Sequence, residues 1–284
     1  MDNAFYLPVP DFSDESGTGD ADPDFEYFRP TSATVSPWST DIQHGGPPTG
    51  LLMRALERAD ADPGRRFTRV TVDLIGAVGL DVNRVRAWVA RPGRRISMLA
   101  AELEVRRPDG TFRVAARASA WLMRADDTAD ITVQPRPPLH PLPDDLDIRR
   151  GVTADPSLGV DWGTEGFIGA VHCAVLPGRT GKTPAVWLRP AVGLVDGEQI
   201  SDLESLMTVV DVANGVGTRL DSAQWSWMNT DTTVHLSAVP RGRWLGIDAE
   251  MAAGRDGFGA SFADLYDVDG FIGRSAQTAL LDRR

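Results

Sequence analysis

The sequence predicts an α+β protein made of two similar halves, each a helix laid against an antiparallel meander. Three observations carry this. A helix-then-strands unit occurs twice, first from His44-Gly45-Gly46-Pro47-Pro48-Thr49-Gly50 to Trp121-Leu122-Met123, then from about Asp202 to Ala279-Leu280-Leu281. In each copy the apolar period switches from 3.6 to 2, the change from a helix to strands with one buried face. Each meander also carries a tight turn, Asp109-Gly110 in the first and Asp269-Gly270 in the second, of the composition that hairpins favour.

Residues 1–26 are acidic and rich in Asp, Gly and Ser, with Asp14-Glu15-Ser16-Gly17-Thr18-Gly19-Asp20 at their centre. They read as a loosely held arm. A first strand is expected over 25–35. A helix is expected over 47–59, where prolines are tolerated in the first turn and Leu51, Leu52, Ala55 and Leu56 share a face. Val85, Ala87 and Val89 then alternate with Arg84, Arg86 and Trp88, and Leu99, Ala101, Leu103 and Val105 alternate with Ala100, Glu102, Glu104 and Arg106. These are strands of the first half, 27–124. Residues 125–160 are Asp- and Pro-rich and read as a linker. The second half, 161–284, has strand-like runs at 168–175 and 185–189. A helix follows over 202–220, carried by Leu203, Leu206, Met207 and Val210, and then a second meander.

Laying one copy on the other places Gly50 on Gly217, Thr71-Val72 on Thr233-Val234 and Asp109-Gly110 on Asp269-Gly270, at offsets of 167, 162 and 160. On this alignment His44 falls opposite Asp211, and Arg117 stands near the counterpart of Gln277. Two units of this kind can pair edge to edge into one sheet, which also covers two exposed edges.

The chain has 284 residues, 42% of them hydrophobic, enough for a packed core. The net charge of -11 argues against nucleic acid as a partner. The apolar runs fall short of the roughly 20 residues that a membrane helix needs. The single cysteine, Cys173, excludes a disulfide framework, and no secretory leader is expected, so a cytoplasmic setting is predicted. Neither a Gly-x-Ser-x-Gly elbow nor a metal-ligand spacing is present, and no cofactor or metal is expected.

Asp211 is the sharpest candidate from the residues alone. It lies four residues after Met207 and eight after Leu203, on or beside the buried stripe, where a carboxylate needs partners. It reads as a general base or water holder, or as a structural carboxylate. Gln277 sits in a strand of small and apolar residues, where an amide can position a water or simply line the core. His44 reads as a base, a binder of the substrate's arm or a cap before the helix. Gly45 and Gly46 bring N–H groups to a helix N-terminus, a geometry that can polarise a carbonyl.

Gln43-His44-Gly45-Gly46-Pro47-Pro48, with Trp38 upstream, resembles the start of the first helix in TesB-like acyl-CoA thioesterases, which are double hotdogs. Asp231-Thr232-Thr233-Val234-His235-Leu236 and Asp267-Val268-Asp269-Gly270-Phe271-Ile272-Gly273-Arg274-Ser275-Ala276-Gln277-Thr278 resemble two strands of the second hotdog. The resemblance covers roughly 25–283. It implies two curved antiparallel sheets, each wrapped around a long helix, and hydrolysis of fatty acyl-CoA by activated water with no covalent intermediate. The residues it implies are Asp211, Gln277 and a third position at Asn229, where the family has a hydroxyl. Thr230 or Thr232 could supply that hydroxyl, and Thr232, His44, Gly45 and Gly46 would contact substrate. A homodimer of double hotdogs is the implied assembly. The alternatives are a hotdog hydratase or dehydratase, whose Asp-x-Asn-Pro-x-His string is absent here, and a non-catalytic acyl-CoA or lipid binder.

Overall fold

The computed structural model describes residues 2–10, 12, 22–60, 62–152, 162–178 and 182–284. The first half contains β1 (Ala4–Pro8), β2 (Glu26–Pro30), α1 (Gly46–Ala59), β3 (Arg65–Leu74), β4 (Asn83–Arg91), β5 (Ile96–Arg106) and β6 (Phe112–Arg124). Then come β7 (Ile148–Arg150), α2 (Gly166–Gly169), β8 (Val171–Val175), β9 (Val186–Pro190) and β10 (Gly193–Val195). The second helical segment is α3 (Asp202–Val210) and α4 (Ala213–Gly217), followed by β11 (Trp225–Asn229), β12 (Asp231–Leu236), β13 (Leu245–Ala253), β14 (Phe258–Asp267) and β15 (Gly270–Arg283).

The strands form one continuous sheet rather than two. Its order is β10-β1-β2-β4-β5-β6-β3-β12-β15-β14-β13-β9-β8-β7, with β11 also on β15. The seam is the antiparallel pair β3–β12, and the order on either side of it is the same read outward. Thr71 sits directly opposite Thr233 across the seam, with their hydroxyls 3.2 Å apart. These two residues are the pair that the sequence repeat matches. In antiparallel strands a residue meets its own duplicate only where an approximate two-fold axis crosses the seam, so the register supports the duplication.

Each half packs helix on sheet, so apolar faces are buried between the layers. Helix α1 lies on β4, β5 and β6, and α4 on β13, β14 and β15. Leu51, Leu52, Met53 and Leu56 of α1 are fully buried, and Leu206, Met207, Val209 and Val210 of α3 complete the same core. Helices α1 and α3 pack directly on each other. The close approach needs glycine: a Cβ on Gly46 would lie 2.3 Å from Thr208 O, and one on Gly50 2.2 Å from Thr208 Oγ1.

Several expectations are corrected. The helix expected over 202–220 is broken after Val210 and ends at Gly217. Ser201 starts it with a capping box to Glu204. At the break the Asp211 carbonyl accepts from Gln277 Nε2 at 3.1 Å, and the Gly215 N–H turns to Val212 O. A side chain has taken the carbonyl that the helical ladder would use. The expected arm also differs, since β1 enters the sheet with Phe5 and Tyr6 fully buried and pairs in parallel with β10 of the second half. The Asp14–Asp20 string lies outside the described residues. Part of the linker is structured too. β7 pairs with β8, and Leu139, Leu142 and Leu146 pack on Trp187, Tyr266 and Phe271, while Trp187 Nε1 donates to Pro141 O. Residues 153–160 of the linker lie outside the described residues. The strand expected from 168 starts at Val171, because Gly166–Gly169 makes a helical turn.

Charged groups bind the two halves at the other end of α1. Arg54 is 2% exposed and donates two hydrogen bonds each to Glu26 and Glu198. Arg58 bridges the same two carboxylates. A guanidinium this buried is tolerated because both forks are matched.

Glu57, one turn on, accepts from Ser201 Oγ at 2.7 Å. Burial pushes its pKa up to about 7, helped by Glu204 and Asp202 and opposed by the Ser201 hydrogen bond. The folded state therefore holds this proton more tightly than the unfolded chain. The stability this contributes is complete below the ordinary value near 4.5 and lost as pH rises through about 7. Glu57→Gln should reduce the fall in urea-unfolding free energy between about pH 5 and about pH 8 by on the order of 1–2 kcal/mol. Identical pH slopes in the two proteins would refute it.

Candidate active site

The end of α3 meets the start of α1 at Asp211, which is 2% exposed. Its two carboxylate oxygens have different surroundings. Oδ1 accepts from Asn229 Nδ2 at 2.7 Å and from Thr232 Oγ1 at 3.1 Å, with Gln277 Nε2 at 3.4 Å. Oδ2 faces His44 Nδ1 at 3.3 Å and the backbone of Gly45. Strand alternation explains this convergence: Thr232 and Gln277 are inward positions on β12 and β15, with Asn229 at the end of β11. Gln277 Nε2 also donates to Thr232 Oγ1 at 2.9 Å, while Gln277 Oε1 is buried and accepts from none of the described residues.

His44 stacks on Phe167, centroids 4.1 Å apart and planes 13° apart. Burial pushes its pKa down, and the smaller pull of Asp211 opposes this. The ring is neutral at neutral pH. The Gly46 N–H donates to Nδ1 at 3.0 Å, which assigns the ring's proton to Nε2. Nδ1 then offers a lone pair, so Asp211 Oδ2 receives no hydrogen bond from the ring. Pro47 and Pro48 have no N–H, so the free donors at the start of α1 reduce to Gly45 and Gly46. Gly46 is engaged by His44, and the Gly45 N–H has no partner among the described residues.

A buried polar chain holds the turn that carries His44. Tyr6 donates to Gln43 Oε1 at 2.6 Å, and Gln43 Nε2 donates to Gly79 O and to Asn83 Oδ1. All three side chains are within 4% of full burial. The His44 N–H donates to Thr34 O and the Gln43 N–H to Val78 O, which fixes the backbone on both sides.

Asp211, Gln277, Asn229, Thr232, His44, Gly45 and Gly46 thus come together. Thr230 does not: its hydroxyl faces Asp231 Oδ1 at 3.4 Å on the exposed side. Asn229 fills the third position with an amide that donates to Asp211, and Thr232 places a hydroxyl on the same oxygen. The matching of His44 to Asp211 as equivalent points is overturned. α1 begins at Gly46 and α3 at Asp202, an offset of 156 (202 less 46), so the two residues are not counterparts. They face each other, one from each half. Arg117 is likewise not the counterpart of Gln277. Thr71 faces Ser119 on one side of the axis and Thr233 faces Ala276 on the other, which matches Gln277 with Ala120. The first half therefore carries Ala120 and Val70, both buried and apolar, where the second carries Gln277 and Thr232.

Sequence reasoning missed Tyr6, Asn83 and Phe167. A Tyr inside an arm taken as loose gave no signal. Phe167 was hidden in what looked like the lead-in to a strand. Among the described residues no cluster of His, Cys, Asp and Glu could hold a metal, and no helix is long and apolar enough to cross a membrane.

The chain matches the acyl-CoA thioesterase N-terminal domain over residues 34–123 and the acyl-CoA thioesterase C-terminal domain over 143–281. Among solved structures it is similar to a conserved protein of unknown function with the hot dog fold from Alicyclobacillus acidocaldarius. That likeness has a TM-score of 0.67 and 14% identity, over 93% of this chain and 95% of the other. It is also similar to the acyl-CoA thioesterase II TesB2 of Mycobacterium marinum, with a TM-score of 0.64 and 14% identity over 94% and 96% of the two chains. A third likeness is to the tesB protein of Mycobacterium avium subs paratuberculosis, at 0.61 and 14% over 91% and 92%. Among curated proteins no match was found. The two domain matches together span most of the chain, the structural likenesses give the hot dog fold, and the chain belongs to the TesB-like acyl-CoA thioesterases, a family of thioester hydrolases.

Proposed function

We propose that this protein hydrolyses acyl-coenzyme A thioesters with a water activated by Asp211 and Gln277, and that no acyl group becomes attached to the protein. The observation that carries this reading is the unequal division of the Asp211 carboxylate. Oδ1 is anchored by Asn229 and Thr232, while Oδ2 keeps a lone pair beside neutral His44. A water between Oδ2 and Gln277 Oε1 donates one proton to each and turns its own lone pair to the thioester carbon. The water oxygen bonds to that carbon as a proton passes to Asp211, and the Gly45 N–H is placed to steady the carbonyl oxygen. The C–S bond then breaks, and the proton passes from Asp211 to the leaving sulfur. The products are the free acid and coenzyme A.

In this reading the working units are the two hotdogs, 27–124 and 161–284, each sheet half wrapped on its helix, with the site built where they meet. A homodimer of the whole chain is the expected assembly, and light scattering measures it. Gln277→Ala should lower kcat about 10²-fold with a smaller change in KM, the cost of a misplaced water. Coenzyme A release from a panel of acyl thioesters measures it. Hydration of an enoyl-CoA without release would point instead to a hydratase, and binding without turnover to a carrier.

A further inference from the structure

Beside Asp211 lies a pocket walled by Trp38, Trp162, Trp227, His44, Val212 and Val216. Its three indoles pack against one another with centroids 5.0 to 5.7 Å apart and planes at 74°, 81° and 89°. Three mutually perpendicular rings form the inside corner of a box. All three pairs are T-shaped, the favoured arrangement for aromatic rings, and each ring packs against the other two. Trp227 is 2% exposed and is backed by Ala279 and Leu281 of β15. The free space inside the walls is about 30 Å³, and about 370 Å³ with the open mouth included. Ligand pockets run from roughly 300 to 1,000 Å³, and the enclosed space of about 30 Å³ lies well below them.

The pocket meets the proposed chemistry along one wall. His44 stands against Asp211 Oδ2, and Val212 is the next residue after Asp211. A thioester carbon at Oδ2 would send its acyl group along this wall toward the indoles. We infer that the site selects compact acyl groups, short-chain or aromatic and no larger than about a benzoyl ring, and that the corner formed by Trp38, Trp162 and Trp227 excludes long fatty chains. This rests on the thioesterase reading above. The indoles suit such groups, since a flat ring can stack on an indole face or meet its edge, and a short chain ends before the corner.

The test is kcat/KM for acetyl-, butyryl-, benzoyl-, octanoyl- and palmitoyl-CoA. Butyryl- or benzoyl-CoA should exceed palmitoyl-CoA by about tenfold or more, as expected when a rigid apolar wall discriminates by size. Trp38→Ala and Trp162→Ala open the corner without emptying the buried Trp227 position. Each should raise the palmitoyl-to-butyryl ratio about tenfold, with thermal melting confirming the fold. Palmitoyl-CoA matching or beating butyryl- and benzoyl-CoA in the unaltered protein overturns the size limit and leaves the thioesterase reading standing. A ratio unmoved in both folded variants overturns the role of the indoles. Release from none of the five thioesters overturns the thioesterase reading, and this inference with it.

Discussion

Asp211→Asn should lower kcat for coenzyme A release by about 10³-fold, within the range for loss of a positioned general base. The substitution keeps the shape of the side chain. The Asn oxygen can replace Oδ1 and still accept from Asn229 Nδ2 and Thr232 Oγ1, which anchor the carboxylate at 2.7 and 3.1 Å. The new NH₂ lies where Oδ2 was, beside His44 Nδ1, whose lone pair accepts from the Gly46 N–H. What disappears is the carboxylate proposed to take the water's proton. KM should change little, because the proton moves only in the transition state. Gln277→Ala added to Asp211→Asn should cost much less than the two single losses combined, since both are proposed to act on one water. A thiol reagent that counts released coenzyme A measures all three proteins. Undiminished kcat in Asp211→Asn would sink the assignment.

How much of this arrangement the sequence exposed depends on distance along the chain. Local periodicity placed α1 and most of the meander strands, because a buried face repeats every two or 3.6 residues whatever its partner. Asp211 and Gln277 stood out because a polar group on an apolar stripe needs a partner. The errors came from contacts between distant residues. The break in the second helix exists because Gln277, 66 residues away, takes the Asp211 carbonyl. No pattern around Asp211 encodes that. β1 looked like part of a polar arm because its partners are β2 and β10, the latter from the other half. The false equivalence of His44 and Asp211 came from pairing Gly50 with Gly217. These glycines serve different contacts: a Cβ on Gly50 would strike Thr208, whereas one on Gly217 would press on Ala249. Glycine marks close approach without naming the partner. The seam was the most legible long-range feature, since Thr71 and Thr233 were matched by sequence and stand opposite each other.

Gly46→Ala is the most informative change outside the carboxylate itself. The Gly-Gly pair reads in the sequence as a source of backbone donors, and its packing gives a stronger constraint. A methyl group on Gly46 would lie 2.3 Å from Thr208 O and 2.9 Å from the Phe167 ring. The first of these is backbone of α3, which cannot rotate away as a side chain could. The start of α1 must therefore move off α3 by several tenths of an ångström or more. Overpacking of this kind costs typically about 1–3 kcal/mol. The displacement falls on the residues that matter: His44 stacks on Phe167 and faces Asp211, and Gly45 lies against Asp211 Oδ2. Misplacement near 1 Å is enough for about a 10²-fold loss in rate, so kcat should fall by about that much even at temperatures where the variant is fully folded. Gly79→Ala is the matched comparison, because a Cβ there meets nothing within 4 Å. Its unfolding free energy should stay within about 0.5 kcal/mol of the parent. If Gly46→Ala lowers the melting temperature but leaves kcat at the parent value when folded, the contact between α1 and α3 supports the fold without setting the geometry of the site. If it lowers kcat with its stability intact, α1 has shifted at little energetic cost and the site depends on the helix position more steeply than the core does.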